Sequence, residues 1–231
     1  MNIKLSIIIP CYNEKKTILS IIKKLHSLKI NKELIVVDDC SFDGSYEIIS
    51  NNKHLIDKFI RHDKNIGKGG AIKSAKKYIK GDYVVIQDAD EEYFPEDLEK
   101  MLKIMMENNY KALYGSRVLG KNRYFKNEKF TSIFRIFANH ILTILSNFIN
   151  KQNITDAHTC YKMFETKVFN SIELLENDFA FCPEITTKIS NLKIKIYEIE
   201  INYNGRTFAE GKKISFKDGF KAIKAIIKYK K

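Results

Sequence analysis

The sequence predicts a single α/β domain with a Rossmann-like, mostly parallel central sheet flanked by helices. Three observations carry this. Short apolar runs rich in β-branched residues alternate with segments of helical period, as parallel strands and their crossover helices require. Acidic turns follow two of the apolar runs, at the edge where open α/β sheets bind ligands. The chain has 231 residues, 44% of them hydrophobic, which is enough for one core, and it shows no internal repeat or low-complexity linker.

Taken in order, the first strand is Leu5 to Ile9 and ends at Pro10. Ile18, Ile21, Ile22 and Leu25 recur at helical spacing and give one buried face. Leu34 to Val37 is the second strand and stops at Asp38-Asp39. Gly44-Ser45 opens a short helix, and another follows Gly69-Gly70 with Ile72, Ala75 and Ile79 as its stripe. Tyr83 to Ile86 is a buried strand. Pro95, with its fixed φ and missing donor, marks a helix start, and Leu98, Met101, Leu102 and Met105 continue that helix. Ala112 to Tyr114 is a further short strand.

Beyond Gly115 a basic loop from Lys121 to Lys129 precedes a long apolar-rich helix, Thr131 to about Asn150. Phe134, Phe137, Ala138, Ile141, Leu145 and Phe148 form a stripe on it, which suits either core packing or a lipid interface. Tyr197, Ile199, Ile201 and Tyr203 alternate with polar residues as a half-exposed strand. A final helix from Ser215 carries Phe216, Phe220, Ile223 and Ile227, with Lys217, Lys221, Lys224 and Lys228 alongside. Those lysines suit either anionic headgroups or solvent.

A net charge of +12 implies an anionic partner. Nucleic acid is set aside: the basic residues are dispersed, no nucleic-acid motif appears, and paired carboxylates at strand ends would serve no purpose there. Cys11, Cys40, Cys160 and Cys182 are scattered, as reduced thiols in a cytoplasmic protein would be. The residues after Met1 read as a strand rather than a signal peptide. The apolar stretch from Ile133 to Ile149 is interrupted by Arg135, Asn139, His140 and Asn147, so a spanning helix is not expected. Membrane contact would be peripheral, on the cytoplasmic face.

The chemistry centres on Asp88-Ala89-Asp90. Period-two alternation would send both carboxylates from one face, where a hard cation such as Mg²⁺ or Mn²⁺, shared with a diphosphate, satisfies them. Taken alone, the same residues would as readily cap the next helix. The run Asn65 to Gly70 lacks Walker spacing and reads as a tight turn before a helix. His26, His54 and His62 suit surface roles, and His140 and His158 are left outside the catalytic set. Glu184 suits a helix N-terminus, with a role as base the less favoured alternative.

The motifs occur in an order that resembles family 2 glycosyltransferases, particularly the polyprenyl-phosphate glycosyltransferases typified by dolichol-phosphate mannose synthase. Pro10-Cys11-Tyr12-Asn13-Glu14 and Asp38-Asp39-Cys40-Ser41-Phe42-Asp43-Gly44-Ser45 look like the two nucleotide-binding motifs. Asn65 to Ala71, with Lys68, matches a third element, and Asp88-Ala89-Asp90-Glu91-Glu92 matches the metal motif. Gly115-Ser116-Arg117, Asp156 to Lys162, and Tyr203-Asn204-Gly205-Arg206-Thr207 match later elements.

The resemblance implies a GT-A fold and inverting transfer of a hexose from a GDP- or UDP-sugar, with Mg²⁺ or Mn²⁺, to a polyprenyl phosphate such as dolichyl or undecaprenyl phosphate. A saccharide acceptor in capsule, lipopolysaccharide or glycan assembly is the alternative. Donor binding falls to Pro10, Tyr12, Asn13, Glu14, Asp38, Asp39, Ser41, Lys68, Asp88 and Ala89. Metal binding falls to Asp88, Asp90 and Glu92, and catalysis to Asp90, Arg117 and Arg206. Arg117 and Arg135 would meet the acceptor phosphate, helped by Arg123, Lys126 and Lys129, and Arg206, Lys212 and Lys213 would clamp the diphosphate. Within one domain, 1–117 would be the donor half and 118–231 the acceptor half. A separate membrane-protein partner is compatible with this scheme.

Overall fold

The computed structural model describes residues 3–119, 133–206 and 216–231. The elements are β1 (Leu5–Cys11), α1 (Ile18–Ser27), β2 (Lys32–Asp38), α2 (Ser45–Asn51), β3 (Lys58–Arg61), α3 (Lys68–Lys76), β4 (Tyr83–Ile86), α4 (Asp97–Glu107), β5 (Ala112–Ser116), α5 (Ile133–Asn150), β6 (Lys162–Glu165), α6 (Thr166–Ser171), α7 (Phe181–Asn191), β7 (Tyr197–Glu200) and α8 (Phe216–Tyr229). Among the described residues the strands form one sheet in the order β3-β2-β1-β4-β6-β5-β7. β1 runs parallel to β2 and β4, β2 to β3, and β5 to β7. β6 runs antiparallel to both β4 and β5.

β1 is sandwiched between two parallel neighbours, so Ile7, Ile8 and Ile9 lose all exposure and the strand reads as a continuous apolar run. α1 buries Ile18, Ile21, Ile22 and Leu25, and α4 buries Leu98, Met101, Leu102 and Met105, as their spacing predicts. Each such side chain contributes about 1.5–3 kcal/mol on full burial.

Several boundaries differ from expectation. β1 continues through Pro10, opposite Val37, to Cys11, opposite Asp38. Pro95 lies two residues before the first residue of α4, in a turn where the Asp97 and Leu98 amides donate to the carbonyls of Phe94 and Pro95 at 3.0 Å. β3 and β6 escape a pattern search because each has only two apolar residues between charged ones. In β6, Lys162 is nonetheless buried: its Nζ donates to the Ala157 carbonyl at 2.8 Å and lies 3.9 Å from the Tyr114 ring centroid.

α5 begins at Ile133, and the side chains of Phe134 and Arg135 lie outside the described residues, as do Arg123, Lys126, Lys129, Lys212 and Lys213. On α8, Lys221 pairs with Asp178 at 2.5 Å and Lys228 with Glu176 at 2.9 Å, so the protein's own acidic 173–180 segment takes up part of that lysine line. No described helix is long and apolar enough to cross a membrane.

Candidate active site

The loops after β1 and β2 are stitched together by their own side chains. The Asn13 amide, at φ +52°, donates to Ser41 Oγ at 2.9 Å, and Asn13 Oδ1 accepts the Phe42 amide at 3.0 Å. The Glu14 amide donates to Ser45 Oγ at 2.9 Å. Tyr12 stands edge-on to Phe42, centroids 6.2 Å apart, and Phe42 is 81% exposed at the rim. Pro10, Tyr12, Asn13, Glu14 and Ser41 are thus brought together at the carboxyl ends of parallel strands.

Asp38 and Asp39 divide. Asp38 is buried, its Oδ1 accepts the Ser41 amide at 3.3 Å, and burial pushes its carboxyl up. Asp39 accepts the Ile66 and Gly67 amides at 3.0 and 2.8 Å and faces His62 Nδ1 at 2.7 Å, while His62 Nε2 reaches Ser74 Oγ at 2.9 Å. His62 is therefore an internal strut rather than a surface residue. Gly67, at φ +95°, and Gly69 bring the start of α3 against the 176–178 backbone. A Cβ on Gly67 would meet the Asn177 carbonyl oxygen at 2.6 Å. The Gly70 amide donates to that same oxygen at 2.9 Å, so this helix start is capped by protein.

β4 ends at Ile86, and a tight loop rather than strand alternation carries the acidic motif, with Glu91 at φ +55°. Glu91 is anchored to α1 by Ser20 and Lys24. Asp88 pairs with Lys68, the first residue of α3. Burial opposes the Asp88 charge, yet the adjacent ammonium holds the carboxyl below its usual value. Asp90 is pushed up to about 7 by burial and by the charges of Asp88 and Glu92. Ala89 between them is buried.

Arg206 closes the cluster. Its Nη1 and Nη2 lie 2.9 and 3.1 Å from the Glu14 carboxylate, and Nη2 is also 2.7 Å from Asp90 Oδ2. Glu92 supports this arrangement by accepting the Arg206 amide at 2.6 Å and the Tyr203 hydroxyl at 2.8 Å. Glu92 thus holds the segment carrying Arg206, and its position as a third metal ligand is taken by protein donors.

Among the described residues, Glu14, Asp88, Asp90 and Glu92 face Lys68 and Arg206, so carboxylates and cations alternate across the cluster. Among the described residues no three His, Cys, Asp or Glu side chains converge as a complete cage. Mg²⁺ and Mn²⁺ sites built from one or two carboxylates plus substrate phosphates need none, so Asp88 and Asp90 fit that chemistry.

Arg117 lies beyond this cluster. Its Nε and Nη2 grip Asp156 at 2.6 and 2.8 Å, its backbone amide donates to the same carboxylate, and its guanidinium lies 5.0 Å from the Tyr203 ring centroid. Tyr203 thereby connects Arg117 to Glu92. Cys160 sits 3.4 Å from Lys68 Nζ, and its amide donates to the Tyr93 hydroxyl at 2.8 Å. Asp156 and Cys160 stand out in the sequence only through the later motif; their partners come from the residue that follows β5, from α3 and from the loop before α4.

Glu184 is fully buried in the first turn of α7. Its carboxylate accepts the Leu175 and Glu176 amides at 2.7 and 2.9 Å and pairs with Lys188 at 2.6 Å. That is the work of a strut and not of a base open to substrate.

A mixed sheet with an acidic loop and basic side chains at its ligand-binding edge defines the GT-A class of nucleotide-sugar transferases. The Glycosyl transferase family 2 model matches residues 6–173, and the chain belongs to this family. A UDP-N-acetylglucosamine–dolichyl-phosphate N-acetylglucosaminyltransferase of Methanococcus voltae is 27% identical, with 97% of this chain and 95% of that protein aligned. A dolichyl-phosphate beta-glucosyltransferase of Trichomonas vaginalis is 28% identical over 88% of this chain and 66% of its own length. Glucosyl-3-phosphoglycerate synthase from Mycobacterium tuberculosis, solved with Mn²⁺, UDP and glucosyl-3-phosphoglycerate, superposes with a TM-score of 0.72. It covers 98% of this chain and 80% of its own at 14% identity, a likeness of fold.

Proposed function

We propose that this protein is an inverting, metal-dependent hexosyltransferase that moves sugar from a GDP- or UDP-sugar to a polyprenyl phosphate at a membrane surface. The observation that carries the reading is the opposition of Asp88 and Asp90 to Lys68 and Arg206 at the carboxyl edge of the parallel strands. Asp88 and Asp90 would hold Mg²⁺ or Mn²⁺, which would neutralise charge developing on the departing nucleoside diphosphate.

The chain's own residues supply the rest. The stitched 10–14 and 38–45 loops form a rigid wall for the nucleoside, with Tyr12 and Phe42 as its aromatic part. Arg206 exchanges Glu14 and Asp90 for diphosphate oxygens, a swap that suits a guanidinium fork. Arg117, fixed by Asp156, presents a cation whose direction is set before the acceptor arrives.

An acceptor phosphate is already anionic at neutral pH and needs alignment rather than a base. The commitment of Glu184 to backbone amides supports this over a saccharide acceptor, whose hydroxyl would need one. The named activities of the Methanococcus and Trichomonas relatives support the same choice.

The test is transfer from radiolabelled GDP- and UDP-sugars into organic-extractable dolichyl or undecaprenyl phosphate with Mg²⁺ or Mn²⁺. Labelled lipid that disappears with EDTA is expected. Labelling of a saccharide alone, by a chain that binds the same donor, would overturn the lipid acceptor.

A further inference from the structure

We propose that the solvent-facing side of α5 is a docking face for an anionic lipid bilayer. The helix is inverted relative to an ordinary surface helix. Its buried side holds Leu142, Thr143, Ser146 and Asn150, while Phe137 (61% exposed), Ile141, Ile144 and Phe148 (83% exposed) face outward. Those four positions are spaced four, three and four residues apart, which places them on one stripe.

The polar side chains do the inward work. Thr143 Oγ1 accepts the Ala157 amide at 3.3 Å, Asn147 Nδ2 donates to the Ile154 carbonyl at 2.7 Å, and Asn150 Nδ2 donates to Thr187 Oγ1 at 3.2 Å. Hydrogen bonds therefore fasten the helix to the protein and leave its bulkiest apolar groups outside. An exposed apolar stripe of this kind marks an interaction surface. α8, which packs against α5, also exposes Phe220 and Ile227.

Charge selects the occupant. A second copy of the chain would bring +12 against +12, whereas an anionic surface is attracted. From Ile136 to Asn150 the sequence carries no Asp, Glu, Lys or Arg, and His140, exposed beside the stripe, is the one titratable side chain in that span, so the stripe enters an apolar layer with no acidic group to repel an anionic surface. The sequence leading into it has Lys121, Arg123, Lys126, Lys129 and Arg135 against Glu128 alone, and Lys151, exposed, follows it. Basic residues are drawn to the negative surface of an anionic bilayer. An uncharged apolar stripe between basic flanks is the pattern of a peripheral membrane anchor.

The inference goes beyond the acceptor reading and stands without it, so its test uses vesicles free of polyprenyl phosphate. The full chain is sedimented with vesicles of phosphatidylcholine and phosphatidylglycerol, and separately with phosphatidylcholine alone. The unaltered chain should pellet with the anionic vesicles. Phe137→Ser with Phe148→Ser should weaken that binding by about tenfold or more, equivalent to about 1.4 kcal/mol. Met106→Ser, which removes an exposed apolar side chain from α4, should bind vesicles as before, and UDP or GDP binding should be unchanged in both.

Failure to pellet with anionic vesicles, or equal pelleting by the double variant, would overturn the proposal. So would a solution dimer that the double variant converts to monomer, since the face would then belong to a second copy.

Discussion

Arg206 Nη2 lies 2.7 Å from Asp90 Oδ2 while the same guanidinium grips Glu14, so an internal cation bridges the loops that follow β1 and β4. Arg206→Met should lower transfer by about 10²–10³-fold, the scale set by removing one donor from a charge-stabilising site. Binding of Mn²⁺ without nucleotide should be unweakened or tighter in the variant, because a competing cation has gone. Electron paramagnetic resonance of free Mn²⁺ checks this, and weaker metal binding would contradict it.

Lys68 and Asp88 form a largely buried pair. Asp88→Asn should cost about 3–5 kcal/mol of stability by stranding the ammonium. Adding Lys68→Met should recover part of that loss, and both variants should be inactive. Denaturant midpoints of the single and double variants decide it.

Glu184→Gln should separate structure from chemistry. An amide cannot replace a carboxylate that accepts two backbone N–H groups and pairs with Lys188, so stability should fall by about 1–3 kcal/mol. Turnover per folded molecule should be unchanged below the melting transition. Folded fraction by circular dichroism, set beside kcat, tests this; selective loss of kcat would restore Glu184 as a base.

His158 gives a pH signature. Burial first, then the Lys162 charge, lower it to about 4, and its Nε2 is shielded from solvent. The unfolded chain therefore binds a proton near pH 6.5 that the folded chain refuses. Stability should be intact above pH 6.5, fall by up to about 3 kcal/mol as pH drops towards 4, and then level off with respect to this group. His158→Leu should flatten that slope in a urea titration series.

Local patterns were enough for the parallel core: Leu5 to Ile9, Leu34 to Val37 and the stripes of α1 and α4 are set by nearest-neighbour chemistry. β6 was not legible, because Met163 and Phe164 are too few to signal a strand and its pairing with β4 and β5 depends on contacts far away in sequence. The same limit applies in the site. Asp88, Asp90 and Arg206 announce themselves through ordered motifs, but the commitment of Glu92 to Tyr203 and the Arg206 amide is a tertiary fact. His62 reads as a polar surface residue until Asp39 and Ser74 close on its two nitrogens.

β6 also decides how the chain may be divided. Because it lies between β4 and β5, a cut after Arg117 would remove an interior plank from the sheet. Its direction brings the residues before it, not after it, to the ligand-binding edge, which is why Cys160 meets Lys68 and Asp156 meets Arg117. Residues 1–117 and 118–231 are therefore not separable parts. Residues 1–117 expressed alone would leave β4 unpaired on one edge and β5 on both and should aggregate, and swapping the later region between relatives would have to carry the 156–165 segment along with its partners in β4 and β5.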